Sequence, residues 1–102
     1  MYWFIKTENF TKEAYKLQDK ERSKYINQHK KWVREMIALG HKISSGYLVN
    51  KQRQPGGGGL LVIQAKSFHE AKQILEQDPM IKNGLVTWEL NEWIPVYGQL
   101  IS

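Results

Sequence analysis

The 102-residue sequence has no cysteine, few prolines and no long run of apolar residues. Without cysteine, disulfide bonds, thiol catalysis and cysteine-bound zinc are excluded, and the composition fits a cytoplasmic protein. Apolar stretches such as residues 60–63 fall far short of the ~20 residues that a membrane-spanning helix needs. The N-terminus is too short and too aromatic to form the core of a signal peptide. We therefore expect a soluble protein with no membrane association.

What the chain does contain is typical of one globular domain covering residues 1–102. Hydrophobic residues make up 41% and charged residues 25%, enough for a modest core but not for two. The net charge is +5, and nine of the 15 basic residues lie between positions 12 and 42, among four acids. The excess charge therefore belongs mostly to one helical surface, which is more typical of a solvated face than of a nucleic-acid site.

Hydrophobic periodicity predicts the element order βαββαβ. Strands are expected at residues 2–6, 42–49 and 60–65 and from Val86 onward, where apolar and polar residues alternate. A long helix is expected to end before Gly40, and its start, either at Thr11 or after a break near Asp19, stays open. The second helix begins with the spacing of a capping box, from Ser67 to Glu70.

This order predicts an α+β fold of the ferredoxin-like type, with an antiparallel sheet in the order 4-1-3-2 and two helices on one face. Strands 1 and 3 are the most continuously apolar, as central strands should be. The aromatic side chains exceed what one layer of helices would cover, so we expect an apolar open face and a homodimer with its sheets packed together. The aromatic residues that supply this surface are Tyr2, Trp3, Phe4, Trp88 and Trp93.

The four consecutive glycines at 56–59 invite a phosphate-loop interpretation. They lead into a strand rather than a helix and lack the Gly-Lys-Ser/Thr ending, so a flexible hairpin loop over residues 50–59 is favoured. Gly46 is expected to form a bulge in strand 2. An RNA-recognition domain would carry stacking aromatics on strand 3, and residues 60–64 contain none. Nucleic acid is therefore an unlikely partner.

One histidine and one aspartate stand out as candidates for chemistry. His29 lies on the apolar stripe of the long helix, where a histidine is either a core residue with one hydrogen bond or a group suited to proton transfer. Asp78 precedes Pro79 at the exit of the second helix, where it is either the N-cap of a turn or half of a site. Because the two helices should run antiparallel, these two residues are expected to meet.

The ordered set of motifs resembles the YCII-related (YciI-like) family. The resemblance runs through an aromatic first strand, a histidine eleven residues before Gly40 and the run Asp78-Pro79-Met80 before Gly84. It also includes residues 44–47, the glycines at 58 and 59 and the serine at 67. The resemblance implies a dimeric α+β-barrel fold related to muconolactone isomerases and small monooxygenases. It also implies a site formed by His29 and Asp78.

The resemblance implies a site without a reaction. Some members carry an arginine three residues before the histidine, where this chain has Ile26, and Met80 replaces the usual aromatic residue. We expect either an enzyme that moves a proton on a small carbonyl, enol or lactone compound, or a non-catalytic small-ligand-binding or accessory homodimer. Neither a cofactor nor a metal is expected, because one histidine and one acid supply too few ligands. Candidates for the pocket lining are Tyr25, Trp32 and Tyr47.

Overall fold

A computed structural model describes residues 1–98 of the chain. The sequence indicates a short tail after Pro95, and two of its residues, Leu100 and Ile101, lie outside the described residues. The elements in chain order are β1 (Tyr2–Phe10), α1 (Lys12–Lys16), α2 (Asp19–Ala38), β2 (Ile43–Val49), β3 (Pro55–Ala65), α3 (Phe68–Leu75), α4 (Pro79–Lys82) and β4 (Val86–Trp93).

The four strands form one sheet in the order β2-β3-β1-β4, with every neighbouring pair antiparallel. This is the order predicted for a ferredoxin-like α+β fold, and it confirms the predicted fold class. The start of the long helix is also settled. Leu17 and Gln18 have extended backbones, so α1 stops before them and α2 begins at Asp19.

The predicted helix ends are confirmed, with one correction. After α2, Gly40 has a φ of 97°, and the Gly40 and His41 amides donate to carbonyls of the last turn, the hydrogen bonds of a Schellman motif. At the start of α3, the Ser67 hydroxyl accepts from the Glu70 amide at 3.0 Å. The Glu70 carboxylate does not return to Ser67 as a capping box requires. It accepts from the Lys66 amide at 3.4 Å.

The glycine run is not the flexible loop that its composition suggested, because β3 begins at Pro55 and contains all four glycines. Gly58 and Gly59 pair with Asn9 and Glu8 of β1. A Cβ atom on Gly58 would lie 3.1 Å from the Asn9 side-chain oxygen and 3.2 Å from a β1 carbonyl oxygen. The glycines therefore permit a close approach of two strands, and the hairpin turn shrinks to residues 50–54.

The predicted bulge at Gly46 is also wrong, since Gly46 pairs in regular register with Leu60. The irregularity falls between Tyr47 and Val49 instead. It lies next to the turn, where the Asn50 side chain accepts hydrogen bonds from two backbone amides.

The main core lies between the sheet and the helices on one of its faces. Phe4 is buried there with Ile63 of β3 and Trp32 of α2. Because alternate residues of a strand point to opposite faces, Phe4 cannot share a face with Trp3. Of the five aromatic residues, Tyr2, Phe4 and Trp88 therefore belong to the helix-covered face, and Trp3 and Trp93 belong to the open face.

The open face of the sheet carries an apolar row beside polar positions such as Thr7, Gln64 and Asn91. Trp3 pairs with Trp93, and Ile5 pairs with Val62 in the next strand. Among the paired positions of this face, Glu89 carries the single charge.

No helix within residues 1–98 is long and apolar enough to cross a membrane.

Candidate active site

Asp78 is held in place by the short helix that follows it. It is the N-cap of α4, with Pro79 in the first helical position, and its Oδ1 accepts from the Met80 amide at 2.9 Å. Its side chain is completely buried. The capping role expected for Asp78 is therefore present, and it uses only one of the two carboxylate oxygens. The other oxygen is available for a different partner.

That partner is His29, as the antiparallel helix geometry predicted. Its Nδ1 lies 2.8 Å from Asp78 Oδ2, and 16% of its side chain is exposed. An ionised carboxylate only accepts hydrogen bonds, so the contact assigns the ring proton to Nδ1. In the neutral ring, Nε2 then carries a lone pair, the arrangement that a general base requires.

Ser45 of β2 completes the environment of the ring. Its Oγ lies 3.2 Å from His29 Nε2, and with a lone pair on Nε2 the serine hydroxyl is the donor. In the sequence, Ser45 stands out only as part of the family motif at residues 44–47. Its position opposite His29 depends on the packing of β2 against α2, which local sequence does not reveal.

Lys6 is a member of the site that the sequence analysis missed. Its side chain is fully buried, and its Nζ lies 3.3 Å from Asp78 Oδ2 and 2.8 Å from Glu8 Oε1. The sequence contained a signal for it. Lys6 follows Phe4 at a spacing of two in a buried strand, so both side chains point toward the helices.

These contacts determine the protonation of Asp78. Burial raises the pKa of its carboxyl group. The hydrogen bond from His29, the charge of that ring when it is protonated, the charge of Lys6 and the Met80 amide together lower the pKa below its ordinary value. Asp78 is therefore ionised at neutral pH, which is the state needed to hold the Nδ1 proton of His29.

The histidine borders a cavity of about 730 Å³ on the helix-covered side of the sheet. One wall is a face of α2, and another is the bare backbone of the glycine segment in β3. The lining includes apolar side chains, such as Ile26 and Met80, and charged ones. The charged lining residues other than the histidine are Glu8, Arg22, Lys30 and Arg34.

Of the three residues predicted to line the pocket, only Tyr47 borders this cavity. Tyr25 packs against the small core cluster around Met80, and Trp32 is buried in the main core. The reason is helical geometry. Positions 26, 29, 30 and 33 of α2 face the cavity, whereas residues 25 and 32, seven positions apart, share a neighbouring stripe of the helix.

Among residues 1–98, no group of three or more His, Asp and Glu side chains is placed to hold a metal ion. One chain of polar contacts runs from Ser45 through His29 and Asp78 to Lys6 and Glu8.

Fold and site together define a small ferredoxin-like α+β domain in which a buried carboxylate orients a histidine at a cavity. The chain belongs to the YCII-related domain family, whose model matches residues 2–94. The family resemblance seen in the motifs is thus confirmed.

The solved structures that are similar to the chain include two with different origins. One is 5-chloro-2-hydroxyhydroquinone dehydrochlorinase (TftG) from Burkholderia phenoliruptrix AC1100, in complex with 2,5-dihydroxybenzoquinone. It is 19% identical with a TM-score of 0.68, and the match covers 90% of this chain and 93% of that one. The other is the de novo designed protein Ferredog-Diesel, 14% identical with a TM-score of 0.57, over 89% of this chain and 84% of that one. At these identities the likeness shows the fold alone. No curated protein sequence matches this chain significantly.

Proposed function

We propose that this YCII-related protein is an enzyme that moves a proton on a small carbonyl, enol or lactone compound. His29 acts as the general base through Nε2, and Asp78 orients the ring and stabilises its protonated form. The observation that carries the proposal is the 2.8 Å contact between His29 Nδ1 and Asp78 Oδ2 beside a cavity. It assigns the lone pair to the other ring nitrogen, which is the one beside Ser45.

The proposed step uses groups of the chain and of the substrate, with water as the alternative final proton acceptor. Nε2 takes a proton from the carbon next to a carbonyl or from an enol hydroxyl, and the Ser45 hydroxyl gives up its hydrogen bond to make room. The imidazolium that forms is stabilised by the ionised Asp78. The same nitrogen then returns the proton to another atom of the substrate or releases it to water. A positioned general base of this kind contributes about 10²- to 10⁴-fold to the rate.

One structural neighbour supports this class of substrate. That protein is a dehydrochlorinase of a hydroxyhydroquinone, and its structure holds a dihydroxybenzoquinone. Both compounds are small rings with enol or carbonyl groups. A cavity of about 730 Å³ is large enough for a compound of this size. We take 2,5-dihydroxybenzoquinone and a panel of small lactones as the first probes.

The test compares turnover in His29→Gln and Asp78→Asn with turnover in His69→Gln, a matched histidine control on the exposed start of α3. We expect a loss of about 10²- to 10⁴-fold in kcat for the two site variants and no loss for the control. Asparagine is also a good N-cap, so Asp78→Asn retains the cap of α4. If both variants keep full turnover of an identified substrate, the proposal fails.

The alternative, a non-catalytic binding or accessory protein, makes a different prediction. The hydrogen bond between His29 and Asp78 would then serve the fold alone. Both substitutions should lower the melting temperature and leave the affinity for a bound probe unchanged. Calorimetric titration of the two variants with a ligand that the wild-type protein binds distinguishes this outcome from catalysis.

We also propose that the protein forms a homodimer through the open face of the sheet. The apolar row from Trp3 through Ile5 to Val62, almost free of charge, suits a second copy of the same face. Sedimentation should show a dimer at micromolar concentration. Ile5→Lys should give a monomer, whereas Lys24→Glu, on an exposed position of α2, should not. A wild-type monomer would contradict the proposal.

The cytoplasmic location likewise stays a prediction, to be tested by cell fractionation.

A further inference from the structure

Lys6 occupies a position where an apolar side chain would be expected. It lies on β1 between Leu61 of β3 and Leu90 of β4 in register, and it is fully buried beneath the helices. Moving an ammonium group out of water is expensive, and a buried ion pair is often no more stable than well-packed apolar residues of similar volume. The stability of the fold does not explain this lysine.

Its contacts connect it to the histidine pair. Asp78 Oδ2 receives both His29 Nδ1 and Lys6 Nζ, while Oδ1 receives the Met80 amide. Both oxygens are thus occupied, and rotation of the carboxylate would break at least one contact. On its other side Lys6 contacts Glu8, whose side chain is 13% exposed and borders the cavity.

We propose that Lys6 is a positioning residue for the His29–Asp78 pair, and that Glu8 balances its charge. Lys6 holds Asp78 Oδ2 in the orientation that receives Nδ1–H and moderates the negative charge that the imidazole ring experiences. Its role in catalysis rests on the proposed function. Its effect on the protonation of His29 does not, because it follows from the contacts alone.

Lys6 and Glu8 should have opposite effects on the protonation of the His29 ring. With a neutral imidazole, the charges of Lys6, Glu8 and Asp78 sum to −1, and protonation of His29 brings the sum to zero. The positive charge of Lys6 disfavours the imidazolium, and the negative charge of Glu8 favours it. The other charged or titratable groups that line the cavity are unchanged by substitutions at these two positions: Arg22, Lys30, Arg34 and Tyr47.

The experiment is an NMR titration of the His29 ring in the full chain and in three variants. In Lys6→Met, the midpoint of the titration should move to higher pH, because a positive charge near the ring is removed. In Glu8→Gln, it should move to lower pH. In the double variant, which keeps the net charge of the network, it should return toward the wild-type value.

The double variant also guards against a loss of folding. Lys6→Met alone leaves Glu8 without its partner and is expected to lower the melting temperature, whereas the double variant should recover much of the loss. A titration midpoint that does not move in either single variant, or that moves the same way in both, would overturn the proposal.

Turnover distinguishes the two proposals from each other. Opposite shifts of the His29 titration together with undiminished turnover in His29→Gln would support the role of Lys6 and overturn the proposed catalysis. Loss of turnover in His29→Gln, with neither titration nor turnover changed in Lys6→Met, would support the catalysis and overturn the role of Lys6.

Discussion

The helix-covered face of the sheet has two ends that differ in construction, although β1 and β3 run through both. At one end Phe4 pairs with Ile63, and both side chains are buried in the core. At the other end Glu8 pairs with Gly59, and both border the cavity. We call these the packed end and the cavity end. Lys6 lies between them.

The comparison shows how one sheet face can hold both a core and a site. On β3, the large side chains of Ile63 and Leu61 lie at the packed end, whereas Gly59 at the cavity end has no side chain and leaves space above the backbone. On the same face of β1, the apolar side chain of Phe4 is followed by the charged side chains of Lys6 and Glu8, and Glu8 borders the cavity. The packed end provides stability, while the cavity end contains buried charges that do not favour it. A trade-off of this kind is common at functional sites.

The largest loss of stability is expected when phenylalanine is replaced by alanine at the packed end, and the same substitution at the cavity end provides the comparison. Phe4 is fully buried and packs edge-on against Phe68, with ring centroids 6.1 Å apart. Phe4→Ala should lower the free energy of unfolding by about 3–5 kcal/mol. Phe10→Ala, in the partly exposed lining of the cavity, should cost roughly half as much, because less surface is buried. Equal losses in denaturant titrations would contradict the distinction between the two ends.

An intermediate effect is expected from filling space at the cavity end. Gly57 has a φ of 76°, and a Cβ atom there would overlap the Tyr15 hydroxyl group. Gly57→Ala should therefore lower the free energy of unfolding by about 1–3 kcal/mol through backbone strain and steric overlap. Gly46→Ala is the control, since no atom lies within 4 Å of its added Cβ. Equal thermal stability of the two variants would show that the conformation of Gly57 is not restrictive.

The smallest expected effect concerns Asp78 and acid. Its folded-state pKa lies below the ordinary value of 3.8, so its ionised form contributes stability that is present above that value. The contribution is lost as the pH falls through the folded-state pKa. Asp78→Asn should be less stable than the wild type by about 1–2 kcal/mol at neutral pH. The difference should shrink below pH 3.8, which urea titrations at several pH values can measure. A difference that stays constant down to strong acid would contradict this account.

Features that depend on neighbouring residues were predicted well from the sequence. Ser67 as a cap, Gly40 as a helix end and the Asp78-Pro79 turn all follow from interactions within a few positions. The strand order could also be predicted, because apolar continuity marks the central strands. Predicting the contact between His29 and Asp78 needed one further assumption, that the two helices pack antiparallel.

Features that depend on strand pairing were predicted poorly. Gly58 reads as a loop residue until its partner Asn9, 49 positions earlier in the chain, is known. Lys6 reads as the end of a strand until its register places it beneath the helices. The correction at Trp32 has a similar cause, since a small rotation of α2 decides whether a residue faces the core or the cavity.

We propose that Asp78 fixes the neutral His29 ring with its proton on Nδ1 and its lone pair on Nε2. The most direct measurement is the pair of ¹⁵N chemical shifts of the His29 ring at neutral pH, in the wild type and in Asp78→Asn. We expect a protonated Nδ1 and an unprotonated Nε2 in the wild type, with loss of this preference in the variant. A wild-type ring that carries its proton on Nε2, or one that does not respond to Asp78→Asn, would contradict the account.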